Sequence, residues 1–234
     1  SRDVDLSQTF VGVSYYDGQG FMAPKALGVK SAKELDGASV CIQTGTTTEL
    51  NLAEFFSANK ISYEAVPIET NAEAQELYKA GRCDVYTTDA SGLYSTRASM
   101  PVPSDHLVFA EIISKEPLGP VVRHGDDQWA DIVGWTLRAM MAGEELGITS
   151  ANVKSLAGKD NKNKEINRLL GKDPLQGLSK LGLSADWAVQ VIGQVGNYEE
   201  VFEKNLGMST PLKIARGANS LYRDGGLFYI PPIK

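Results

Sequence analysis

The sequence predicts an α/β protein, with one lobe built on a doubly wound sheet and a mainly helical region after it. Three observations carry this. Between residues 38 and 113, short β-branched runs alternate with helical patterns about ten residues long, as in βαβ units around a parallel sheet. After Lys115-Glu116-Pro117-Leu118-Gly119-Pro120 the strand pattern gives way to helical periodicity. Hydrophobic residues make up 42% of 234, enough apolar chain for one or two buried cores.

Taken in order, residues 1–12 carry few structural signals, although Arg2 and Asp3 can open a helical turn. Residues 10–23 read as extended, aromatic and interrupted by glycine. They contain Gly18-x-Gly20-x-x-Ala23, a loose dinucleotide fingerprint. Pro24 follows where that motif must open a helix, so a nucleotide site is rejected. A helical turn at 31–35 leads to a strand at 38–43 and a helix at 46–58, with Leu50, Leu52, Ala53 and Phe56 expected in the core. Then come a strand at 63–68, a helix at 72–80, a strand at 83–88, a short helix around 91–99 and a strand at 106–113. Such sheets bind ligands outside the carboxyl ends of their strands. Thr44-Gly45-Thr46-Thr47 and Thr87-Thr88-Asp89 fall at that rim.

Beyond residue 120 the pattern predicts a short strand at 121–123 and a clear helix at 127–144. Trp129, Ile132, Val133, Thr136, Leu137, Met140 and Met141 are expected on one face of that helix. Residues 158–164 read as an exposed loop, and helical patterns resume at 165–170, 175–181, 185–195 and 199–205. Residues 222–232 read as an extended tail. The apolar faces of the Trp129 and Trp187 helices find nothing in the sequence to cover them. The net charge of −6 argues against nucleic acid as a partner. No run approaches the roughly 18 apolar residues of a membrane span, and no signal-peptide pattern opens the chain. A mature chain reads the same way, so the compartment stays open.

The chemistry centres on Val40-Cys41-Ile42-Gln43-Thr44-Gly45-Thr46-Thr47-Thr48-Glu49. A strand feeds a helix through one glycine, and Thr46 and Glu49 have capping-box spacing. The unpaired N–H groups and the positive end of the helix make an anion pocket there, or else a capped turn with nothing bound. Asp89, at a neighbouring strand end, supplies the opposite charge. Carboxylate at the helix and ammonium at Asp89 are the two charges of a free amino acid. Asp89 also fits as an N-cap for the helix that follows, and both roles are compatible.

These residues, with Tyr15-Tyr16-Asp17-Gly18-Gln19-Gly20-Phe21-Met22, Glu116-Pro117-Leu118-Gly119-Pro120, Gly196-Asn197-Tyr198 and Pro211-Leu212-Lys213-Ile214-Ala215-Arg216-Gly217, carry a family likeness. The chain resembles the periplasmic amino-acid-binding proteins of ABC importers, above all the general L-amino-acid-binding branch. The resemblance implies the type II periplasmic-binding-protein fold, a clamshell of two lobes joined by two extended hinges. Residues 1–19 would then be a remnant of the first lobe and a hinge, 20–116 a complete α/β lobe, and 117–234 the second hinge and the helical remainder of the first lobe. It further implies a ligand carboxylate on Gly45, Thr46 and Thr47, an α-ammonium on Asp89, and a second carboxylate contact from Arg2. For Arg2 the alternative is a solvated terminal residue. The implied partners are an L-amino acid and a membrane permease, and the implied compartment is the periplasm. The family pattern carries roughly a hundred more residues before Ser1, a half-lobe's worth. The chain is therefore expected to be a truncated form whose binding is impaired or whose specificity pocket is incomplete, so no single amino acid is named.

Cys41 and Cys83 start strands that a doubly wound sheet can place side by side, so a disulfide is expected, with two buried thiols as the alternative. An enzyme of the same fold, such as a dehydratase, finds little support: there is no G-x-S-x-G, no H-E-x-x-H and no Walker loop. His106 and His124 read as surface residues. No catalytic residue, metal ligand or cofactor is assigned. The remaining alternative is a non-binding fragment that self-associates through its helical faces, exchanging residues 119–234 to form a homodimer or larger oligomer.

Overall fold

The computed structural model describes residues 5–173 and 178–232. The chain divides into two compact units. One is Tyr16–Pro117 with Pro211–Ile214, the other Ser1–Tyr15 with Leu118–Thr210 and Ala215–Lys234. Arg2 and residues 175–177 of the helix expected at 175–181 lie outside the described residues.

The first unit is the α/β one. Its strands are β1 (Gln19–Pro24), β2 (Ala38–Gln43), β3 (Tyr63–Ile68), β4 (Val85–Asp89) and β5 (His106–Val108). Its helices are α1 (Thr47–Asn59), α2 (Asn71–Lys79) and α3 (Ala90–Ala98). The sheet order is β3-β2-β4-β1-β5. β2 runs parallel to β3 and β4, whereas β1 is antiparallel to β4 and β5. The sheet is thus mixed where an all-parallel one was expected. No single βαβ unit joins β1 to β4 or β5, so no crossover sets its direction.

Successive strand residues face opposite sides of the sheet. Phe21, Val40, Ile42 and Val85 join Leu52 and Phe56 of α1 in one core. Met22, Cys41 and Tyr86 join Ala74 and Tyr78 of α2 and Leu93 of α3 in the other. Both faces are covered, which is why β2 reads as an almost unbroken apolar run. Two expected core residues of α1 fail: Leu50 is 64% exposed and Ala53 is also exposed. Burial follows the four-residue step from Leu52 to Phe56, and Leu50 lies off that stripe. The last expected strand, 106–113, is regular only through Val108. Phe109 and Ile113 still donate backbone N–H bonds to the carbonyls of Phe21 and Gln19, both at 2.9 Å. Gly18 and Gly20 belong to the β1 region and open no helix. A Cβ at Gly18 would run into Ile112 and the Ser114 carbonyl, so the close approach there requires glycine.

Cys41 and Cys83 form a disulfide with Cα atoms 5.7 Å apart, tying β2 to the start of β4. His106 is half-buried rather than a plain surface residue, and its Nδ1 lies 2.7 Å from the Tyr78 hydroxyl. Burial holds the Tyr78 phenol protonated and lowers the pKa of His106, with Asp105 opposing the latter. The unfolded chain therefore takes up this proton at a higher pH than the folded one. Stability from this group is complete above the ordinary histidine value, near 6.5, and declines as pH falls below it. The urea midpoint should fall more between pH 7.5 and 5 in the wild type than in His106→Gln. Equal falls would remove His106 as the cause.

In the helical unit, Gln8–Phe10 pairs antiparallel with Val121–Arg123, a strand that residues 1–12 did not announce. The helix Asp127–Glu145 buries Gly134, Ala139, Met141, Ala142 and Gly143, whereas Trp129 is 52% exposed. Of the expected face, Met141 is buried, Ile132, Val133, Thr136, Leu137 and Met140 are half-buried, and Trp129 alone is exposed. Small residues make up most of the fully buried positions. At Gly143 a Cβ would come within 2.9 Å of Ile192, so only a small residue lets helix Trp187–Val195 pack this closely. Trp187, expected to lack cover, is buried. A short helix at Val153–Ala157 was not anticipated. The 158–164 segment turns on buried Asn167, whose Nδ2 donates to Asp160 at 2.7 Å and to the Asn161 carbonyl at 3.0 Å. Arg216 closes the unit. One guanidinium nitrogen donates to both Glu144 carboxylate oxygens, at 2.9 and 3.0 Å, and Arg216 lies over the rings of Tyr198 and Phe202.

Candidate functional site

Two predicted site segments stand at the carboxyl ends of adjacent parallel strands in the α/β unit. β2 ends at Gln43, and the chain turns through Gly45, at φ 69°, into α1. Such a backbone conformation strains any residue with a Cβ. Thr46 is the N-cap: its hydroxyl accepts the Glu49 N–H at 3.3 Å and donates to the Gln43 carbonyl at 2.7 Å. The reciprocal half of the expected capping box is shifted by one residue. The Glu49 carboxylate accepts the Gly45 N–H at 2.9 Å instead of reaching Thr46. Gly45 therefore shapes the turn with its own N–H engaged. The first-turn N–H groups of Thr47 and Thr48 have no intrahelical acceptor, as at any helix start.

Asp89 ends β4, the strand beside β2, and occupies the N-cap position of α3. Its side chain makes no capping bond. Asp17 does that work from elsewhere in the chain. One Asp17 oxygen accepts the Ser91 N–H at 3.3 Å and the other accepts the Ser91 hydroxyl at 2.5 Å. The Ala90 N–H donates to the Gly18 carbonyl at 2.8 Å. The first turn of α3 is thus served by residues 17 and 18, and the helix does not call on the Asp89 carboxylate. Asp89 is thus the N-cap by position, without a capping bond from its side chain.

Gln19 links the two segments. It lies opposite Asp89 in the β1–β4 ladder and is 1% exposed. Its Nε2 donates to the Thr48 carbonyl and to the Thr87 hydroxyl, both at 3.0 Å. Its Oε1 is buried and accepts nothing among the described residues. A buried carbonyl left without a donor costs about 1–3 kcal/mol. Neither Asp17 nor Gln19 was anticipated as part of this site. The one available signal was a glutamine inside an otherwise apolar strand. Of the predicted residues, the structure gathers Gly45, Thr46, Thr47 and Asp89 at one rim, and Arg2 is not described. A cavity of about 200 Å³ in the helical unit, lined by Glu145, Tyr222 and Tyr229 among others, contains none of them.

No protein-family model matches this chain. A glutamate/glutamine/aspartate/asparagine-binding protein of Rhodobacter capsulatus is 56% identical over 100% of this chain and 69% of its own length. The general L-amino acid-binding periplasmic protein of Rhizobium johnstonii is 54% identical over 100% of this chain and 68% of its own. Among solved structures, an ABC transporter periplasmic binding protein from Brucella ovis with glutathione bound has a TM-score of 0.92 and 50% identity, covering 100% of this chain and 73% of that one.

Proposed function

Since the chain belongs to the periplasmic amino-acid-binding proteins of ABC transporters, a family of binding proteins and not of enzymes, we propose that it binds L-amino acids and hands them to a membrane permease. The observation that carries this reading is the adjacency of a helix N-terminus and a carboxylate that its own helix does not use as a cap. The first-turn N–H groups and Thr47 meet the ligand carboxylate, on a turn that Gly45 and Thr46 shape, and Asp89 meets the α-ammonium. Arg2 is the second carboxylate partner. The ligands named for the relatives share this head group. Glutamate, glutamine, aspartate and asparagine all present it, and so does glutathione, whose glutamyl residue is joined through its γ-carboxyl. We therefore read the site as selecting the α-amino-acid head and tolerating extension beyond it.

A thermal-shift panel of the twenty L-amino acids and glutathione, on protein stripped of copurified ligand, tests this. A ligand at a hundred times its Kd adds about 2.7 kcal/mol of stability. A flat panel would sink the reading and favour a form with impaired binding. Asp89→Asn should weaken a bound amino acid by about 1.5–3 kcal/mol, roughly tenfold to 150-fold, through loss of one charge-assisted bond. Unchanged affinity by calorimetry would take Asp89 out of the site. Exposed apolar residues on the helical unit (Leu6, Phe10, Leu118, Val121 and Trp129) favour a second reading, in which the chain self-associates. Sedimentation across a hundredfold concentration range decides it, and a constant monomer mass would end that reading.

A further inference from the structure

We propose that Gln19 is the positioning residue of this site: its buried amide holds the first turn of α1 at a fixed place beside Asp89. The inference rests on the amino-acid-binding reading, and it deepens it.

The hydrogen bonds Gln19 makes do little for the fold. The Thr48 carbonyl lies in the first turn of α1, where it already accepts the N–H four residues on. The Thr87 hydroxyl already donates to the Gly20 carbonyl at 2.7 Å. Gln19 therefore satisfies no group that would otherwise be stranded. Its own Oε1 meanwhile sits buried with no donor among the described residues. An apolar side chain of the same length would fill this place in the core without leaving a polar atom unpaired. For stability alone, glutamine is a poor residue here.

Position explains it. Gln19 lies opposite Asp89 in the ladder, so its backbone is fixed to the strand end that carries the carboxylate. From there the side chain reaches across to Thr48, in the turn that offers its N–H groups. One residue thus spans the two poles of the site, the helix N-terminus and the aspartate. A ligand whose carboxylate and ammonium are held a few ångströms apart on one carbon needs that separation to be constant, and preorganised partners bind more tightly than mobile ones. Without the Thr48 bond, the turn keeps the Thr46 and Glu49 bonds, the Thr44 N–H bond to the Ile68 carbonyl at 3.0 Å and the packing of Leu52 and Phe56. None of those hydrogen bonds reaches β1 or the Asp89 end of β4.

Gln19→Leu and Gln19→Met separate a positioning role from a structural one, because stability and affinity should move in different directions. The urea midpoint is expected to stay level or rise. Amide exchange at Gly45 and Glu49, whose N–H groups are hydrogen-bonded within the turn, should speed up about tenfold, and affinity for L-glutamate, measured by calorimetry, should fall about tenfold. Exchange and affinity both at wild-type values would overturn the proposal, as would a loss of affinity matched by an equal loss of unfolding free energy in both variants. If the wild-type protein binds neither L-glutamate nor any other amino acid, the amino-acid reading fails. The exchange measurement on the free protein still decides whether Gln19 pins the turn.

Discussion

Arg216→Ala is expected to destabilise the helical unit by about 3–5 kcal/mol, the cost of stranding a buried charge. Glu144 retains only 7% of its side-chain exposure and Arg216 14%. Burial already pushes the Glu144 carboxyl above the usual range, and the Arg216 guanidinium is the main opposing influence. The arginine also bonds the Asn219 carbonyl through Nε at 3.0 Å and lies over Tyr198 and Phe202, so alanine removes packing along with charge. The sign of the pH dependence follows. Without Arg216 the Glu144 pKa rises further above its unfolded value, and the folded state takes up the proton first. The penalty should therefore be full at neutral pH and shrink as pH falls through that raised pKa. Arg216→Lys keeps the charge but loses the planar stack, and should fall between wild type and alanine. All three tryptophans, Trp129, Trp135 and Trp187, belong to this unit, so urea titration followed by tryptophan fluorescence reads it directly. A midpoint change worth less than about 1 kcal/mol would reduce the pair to the level of a surface ion pair.

The second large effect lies in the α/β unit. Replacing both Cys41 and Cys83 by serine should lower its stability by about 4 kcal/mol in the chain-entropy treatment, given a separation of 42 residues. Both cysteines are almost wholly buried, so a reductant reaches the bond only through local opening. Thiol titration in denaturant without reductant should find no free thiol, and two free thiols would refute the bridge. The periplasm, where this family resides, is an oxidising compartment that keeps such a bond closed. With no tryptophan in the α/β unit, the loss should show in tyrosine circular dichroism. An equal loss in the tryptophan signal would mean that the two units unfold together.

Much of this architecture was legible because its signals are local. The strands at 38–43 and 63–68 coincide with the observed ones, since an apolar β-branched run bounded by turn residues marks both ends. The neighbourhood of β2 and β4, and with it the Cys41–Cys83 bridge, followed from the βαβ pattern. What escaped is set by pairing between distant residues. Nothing in the periodicity of residues 19–24 says that this strand inserts antiparallel between β4 and β5. The roles of Asp17 and Gln19 depend on that insertion, so they were as hidden as the pairing itself. Trp129 misled for a related reason. Hydrophobicity marks a face as apolar, but close helix packing chose the smaller Gly134, Ala139 and Gly143. At the site, the Gly45–Thr47 turn and Asp89 were readable as isolated motifs, whereas their linkage through a buried amide was not.

The way the two units divide the chain also sets an order of assembly. During synthesis, residues 16–117 emerge as one stretch and hold every strand, helix and cysteine that the α/β unit's sheet, core and disulfide need. The helical unit must wait, because Leu221 pairs with Phe228, and Phe228 packs on Tyr198, close to the far end. At about 5–20 residues per second, the hundred or so residues between the two completions amount to several seconds of head start. Once in an oxidising compartment, the emerging chain should thus pass through a stage with one oxidised, folded unit and one unfolded segment. A fragment of residues 1–150 kept under oxidising conditions would reveal it as a protease-resistant core carrying the intact bridge.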